Sequence, residues 1–129
     1  MQLINKIKSE RKDFEIFSGF DEFLIPNLML DGNGIIGGLS NVVPALFAAL
    51  IKAYKDNDFE KIKFLNQKLS ILMEIYDLGN PFIKAIKTAV SVSRREINTA
   101  LKFPMGKSND KQRKEIKEVI KRAKIEKYI

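Results

Sequence analysis

The chain has 129 residues, 45% hydrophobic and 30% charged, with a formal net charge of +7, which is the make-up of one globular domain and not of a disordered segment. Cysteine and histidine are both absent; this excludes disulfides, thiolate chemistry, and the commonest general base and zinc ligand. Any chemistry falls to carboxylates, lysines, tyrosines, hydroxyls or backbone groups. No apolar run approaches the roughly 20 residues that span a bilayer, and the amphipathic first segment lacks the apolar centre of a secretory signal. The expectation is a cytoplasmic protein without a membrane partner.

Residues 2–12 place Leu3, Ile4 and Ile7 at helical spacing, with lysines and Glu10 on the other side. Residues 14–17 read as a short strand stopped by Ser18 and Gly19. A helical stretch follows over 21–30, in which Pro26 requires a bend or a late start. The run Asp31-Gly32-Asn33-Gly34 is a turn signal. Residues 34–39 then read as a second strand, apolar on both faces as parallel strands usually are. From Val43 the period changes: Val43, Leu46, Phe47, Leu50, Ile51 and Tyr54 form one helical stripe. Asp58 caps a next helix carrying Ile62, Leu65, Leu69, Leu72 and Tyr76 to about residue 78. Pro81 suits the first position of a helix to about 93. After the interruption at 103–106, a last helix over 110–127 sets Ile116, Val119, Ile120 and Ala123 on one face.

Two short strands separated by a helix-length segment predict a parallel βαβ unit, followed only by helices. Two parallel strands alone leave both edges open and both faces uncovered, so this pattern reads as part of something larger. It contains no internal repeat or flexible linker.

The runs Phe17-Ser18-Gly19-Phe20-Asp21-Glu22 and Gly34-Ile35-Ile36-Gly37-Gly38-Leu39-Ser40-Asn41-Val42-Val43-Pro44 resemble the dihydrodipicolinate synthase and N-acetylneuraminate lyase superfamily, which includes the 2-keto-3-deoxygluconate aldolases. The later Asn80-Pro81-Phe82 and Leu101-Lys102-Phe103-Pro104-Met105 runs resemble its C-terminal helical extension. The resemblance implies an α/β fold, the C-terminal portion of a (β/α)₈ TIM barrel. Residues 1–57 would carry the last two strands, and 58–129 the extension. It implies a lysine that forms an imine with pyruvate or another 2-oxo acid, an electron sink beside which a carbon–carbon bond to an aldehyde is made or broken. Such chemistry needs no cofactor and no metal. In this family the lysine and its partner tyrosine lie on earlier strands, so both are expected upstream of Met1, and no lysine here matches the motif. Independent catalysis is therefore not expected. An N-terminal half-barrel chain or segment is the implied partner, and an oligomer the implied state.

Active sites of such barrels form at the C-terminal ends of strands. By resemblance, Gly19, Phe20, Asp21 and Glu22 match the lyases' Gly-Tyr-Asp-Glu run, which holds the polyhydroxylated tail of the substrate, with Phe20 lacking the phenol. Gly38 stands where the lyases have serine, a contact that Ser40 would replace, and Asn41 closes the set. The pattern favours a sugar-acid aldolase over a dihydrodipicolinate synthase. Simpler accounts exist for each residue. Carboxylates at 21 and 22 suit the first turn of a helix, Gly37 and Gly38 permit close backbone packing, and Asn41 with Pro44 suits a helix start. A self-associating, non-catalytic half-barrel or helical interaction module is the competing reading of the whole chain. Most of the positive excess lies in the last 23 residues, where glutamates 115, 118 and 126 interleave with the lysines. That is a solvated terminal helix, not a nucleic-acid interface.

Overall fold

The computed structural model describes residues 2–93 and 97–129. In chain order its elements are α1 (Gln2–Glu10), β1 (Phe17–Ser18), α2 (Leu24–Met29), β2 (Gly34–Ile35), α3 (Pro44–Lys55), α4 (Phe59–Met73), α5 (Phe82–Ser93) and α6 (Asp110–Ala123). Short 3₁₀ turns occupy Asp21–Phe23, Leu39–Asn41, Glu74–Leu78 and Glu126–Tyr128. Helices therefore carry most of the described chain, with one two-stranded sheet. Those strands are parallel, Phe17 opposite Gly34 and Ser18 opposite Ile35, and α2 supplies the crossover that parallel strands need.

Both strands are shorter than their apolar runs suggest; past their end Ile36 N–H still donates to Ser18 O at 2.8 Å, and before their start a side-chain amide replaces one ladder bond. Asn33 N–H donates to Ile16 O at 2.8 Å, while its Oδ1 accepts Ile16 N–H at 2.9 Å. Asn27 is fully buried; its Oδ1 accepts Gly34 N–H and its Nδ2 donates to Ser18 Oγ, both at 2.9 Å. Gly32 is glycine because a Cβ there would overlap the Asn27 amide. The two faces of the ladder differ. Ile16 is buried and Ile35 packs against the core, whereas Phe17 and Ile36 on the opposite face are 46% and 76% exposed. The expectation of an apolar second strand is thus met in composition but not in burial.

The helix expected over 21–30 divides. A 3₁₀ turn at Asp21–Phe23 precedes α2, so Pro26 falls in the first α-helical turn, where its missing N–H has no intrahelical acceptor to lose. Pro44 opens α3 at the first helical position. Asp58 caps α4, its Oδ1 accepting Lys61 N–H at 3.0 Å. The helix expected to reach 78 ends at Met73 and tightens into the turn Glu74–Leu78, and α5 starts at Phe82, one residue after Pro81. Leu46 and Leu50 of α3, Leu65, Leu69 and Leu72 of α4, and Ile116 of α6 are essentially inaccessible and belong to one buried cluster, which runs from Leu24 to Tyr128. α6 stops at Ala123, not 127, because Lys124 adopts a left-handed conformation (φ 50°). The ammonium of Lys68 donates to the carbonyls of Ala123 and Lys124, each at 2.8 Å, and so ties α4 to the end of α6.

Candidate functional site

The turns that follow β1 and β2 lie side by side, and the end of α4 with the start of α5 faces them. Between these segments is a cleft of about 540 Å³. Its walls are Gly19 and Phe20 after β1, Ile36 and Gly38 after β2, Ser70, Met73 and Glu74 on and after α4, Tyr76 and Asp77 in the next turn, and Phe82 opening α5. Three aromatic rings line it in sequence: Phe20 to Tyr76 at 6.4 Å between centroids, and Tyr76 to Phe82 at 5.5 Å. Phe20 and Phe82 are each 54% exposed, so their rings are open to the cleft's mouth.

Of the residues singled out in the sequence, Gly19, Phe20 and Gly38 meet in this cleft. Asp21 does not face it. Its carboxylate is fully buried, and Oδ2 accepts the Tyr76 hydroxyl and, at 3.3 Å, Leu39 N–H. Oδ1 is buried against Gly37 without a hydrogen-bond partner among the described residues. Glu22 is exposed and outside the cleft lining. Ser40 and Asn41 brace the turn itself: Ser40 Oγ donates to Gly37 O at 2.7 Å, and Asn41 Nδ2 donates to Gly38 O at 3.2 Å.

The Tyr76 hydroxyl also accepts Gly38 N–H at 3.0 Å. Burial, reinforced by its bond to Asp21, pushes the phenol well above the ordinary tyrosine value. These contacts explain both glycines. A Cβ at Gly37 would overlap the Asp21 carboxylate, and one at Gly38 would lie 2.7 Å from the Tyr76 oxygen. Sequence reasoning had no place for Tyr76 except as the last member of the α4 stripe. The signal available was that a tyrosine ending an apolar stripe must find a partner for its hydroxyl. Phe82 was visible only as part of the Asn80-Pro81-Phe82 run, and nothing marked Ser70. No lysine is among the residues lining the cleft, and the one buried amine among the described residues, Lys68, is spent on α6.

Comparison with known proteins gives a consistent answer. The profile of the dihydrodipicolinate synthetase family matches residues 1–123. An uncharacterised DapA-like lyase of Pyrococcus horikoshii is 34% identical over 115 residues, 89% of this chain and 40% of its own length. The structure of YagE from Escherichia coli K12, a prophage protein of the dihydrodipicolinic acid synthase family in complex with pyruvate, matches 95% of this chain and 41% of that one, with a TM-score of 0.90 and 27% identity. YagE is provisionally named a 2-dehydro-3-deoxy-D-gluconate aldolase. N-acetylneuraminate lyase of Proteus mirabilis, at 17% identity, shares the fold with a TM-score of 0.81 over 96% of this chain. The chain spans about 40% of the length of the curated relatives it matches, so its two strands and helices correspond to part of a barrel of this kind. Matched over residues 1–123, the chain belongs to the dihydrodipicolinate synthetase family.

Proposed function

We propose that this chain supplies part of a Schiff-base aldolase that makes or breaks a carbon–carbon bond next to a 2-oxo acid such as pyruvate. The observation that carries this reading is the close match of 95% of the chain to YagE, a structure that holds pyruvate, with the cleft at the ends of β1 and β2 where barrel enzymes place their chemistry. In such a reaction a lysine amine adds to the 2-oxo carbon and water leaves. The protonated imine then accepts the electron pair of the breaking C–C bond as the hydroxyl beside that bond gives its proton to a base; the aldehyde departs, the resulting enamine takes up a proton, and water releases the 2-oxo acid from the lysine. No lysine lines the cleft, so the imine lysine and its partner tyrosine come from an N-terminal half-barrel chain or segment outside these 129 residues. That partner would also cover the exposed face of β1 and β2.

On this reading Gly19, Phe20 and Gly38 form the wall against which the aldehyde half lies. Asp21 holds that wall from behind. Ser40 and Asn41 hold the turn that carries Gly38, and Glu22 serves only a ligand that extends past the cleft. The likeness to provisionally named 2-dehydro-3-deoxy-gluconate and -pentonate aldolases favours a sugar-acid aldolase over a dihydrodipicolinate synthase.

Borohydride trapping with pyruvate, read by intact mass, tests this. The expected result is labelling of a longer protein or an assembly that contains this chain, with none on the chain alone. Absence of labelling in both would leave a non-catalytic interaction module in its place.

A further inference from the structure

We propose that Tyr76 is a positioning residue for the cleft: its hydroxyl keys the turn after β2 to the turn after β1, and so sets the fit of the aldehyde half of the substrate without bonding to it. This rests on the aldolase reading above. Three segments distant in sequence meet at one phenolic oxygen. It donates to Asp21, 55 residues away, and accepts from Gly38, 38 residues away. A phenol has one proton to donate, and that proton is already used. The second acceptor bond on Asp21 Oδ2, from Leu39 N–H, locks the next residue of the same turn.

Two of the groups held in this way, Phe20 beside Asp21 and Gly38, line the cleft. Neither Gly37 nor Gly38 has room for a Cβ, because Asp21 and Tyr76 press directly on their backbones. The hydroxyl therefore fixes the separation of the two turns, whereas the ring beneath it packs between Phe20 and Phe82. Removing the oxygen while keeping the ring frees the turns without emptying the site. The consequence is a change of fit and not of imine formation.

The test uses Tyr76→Phe, with Tyr54→Phe as the control, because the Tyr54 hydroxyl donates to Leu28 O at 3.0 Å away from the cleft. By NMR on this chain, the Gly38 amide exchanges at least about tenfold faster in Y76F, the free-energy equivalent of about 1.4 kcal/mol, while Y54F leaves it unchanged. In the assembly that traps pyruvate, Y76F raises KM for the aldehyde about tenfold and leaves kcat and pyruvate trapping within about threefold. Unchanged Gly38 exchange in Y76F overturns the proposal whatever the activity. So does an equal loss for aldehyde and pyruvate that tracks a fall in thermal stability, which marks a purely structural role. If the wild type traps no pyruvate in any assembly, the aldolase reading fails, and with it the part of the proposal concerning the aldehyde; amide exchange still decides whether Tyr76 keys the turns.

Discussion

At the scale of single residues, the cleft is shaped by atoms that are missing as much as by those present. Gly37 lies against the Asp21 carboxylate so closely that a methyl group has no space, whereas Gly19 has no atom within 4 Å of the position a Cβ would take. Gly37→Ala is expected to cost about 1–3 kcal/mol through overpacking, and Gly19→Ala to stay within about 0.5 kcal/mol; urea unfolding midpoints of the two variants check the contrast. Tyr76 adds a dependence on pH. Its phenol is held above its unfolded value of about 10, so the folded state favours the protonated form. That stability is complete below pH 10 and is lost progressively as the pH rises above it. Wild-type stability should fall more steeply above pH 10 than that of Y76F, and chemical denaturation at pH 9 and at pH 11 measures the difference.

Among the elements, the join between α4 and α6 is the clearest case of one helix ending another. Lys68 places its ammonium on the carbonyls of Ala123 and Lys124 and sits 5.0 Å over the Phe64 ring. Lys68→Met keeps the aliphatic stem and deletes both bonds, with an expected loss of about 1–3 kcal/mol read from the unfolding midpoint. The helical stripes were legible in the sequence because a 3.6-residue period needs only local information, and Leu46, Leu50, Leu65, Leu69 and Ile116 are all buried as their spacing implies. Helix ends were less legible. Ile125 and Tyr128 continue an apolar rhythm past Ala123, yet they reach the core from a left-handed turn and a 3₁₀ turn. Strand limits were poorly legible for a different reason. A two-residue ladder offers almost no alternation to detect, and Asn27 and Asn33 do pairing that apolar patterning cannot show. The cleft was half visible. Its strand-end glycines and Phe20 stand in the motif, but Tyr76 reaches it through bonds to residues 38 and 55 positions away, and Phe82 joins it against the Tyr76 ring.

For the whole molecule, the distribution of apolar surface matters more than its total. One face of the sheet meets the core, while Phe17 and Ile36 stand exposed on the other beside Phe20, the kind of patch that marks an interaction surface. Replacing Phe17 and Ile36 together by serine is expected to lower binding of a hydrophobic fluorescent dye by the isolated chain about severalfold, with the fold intact, because exposed positions contribute little to stability. Fluorescence titration beside circular dichroism separates the two effects. The side-chain amides that close the ladder have a further consequence, which concerns order in time. The bonds that Asn27 and Asn33 make to the two strands span no more than 17 residues, so the strand pair closes through short loops whose entropic cost is small. It need not wait for remote segments to arrive. Any later strand meets an edge already set in register, and its search is for a place beside that edge, with no need to build a sheet from two disordered chains.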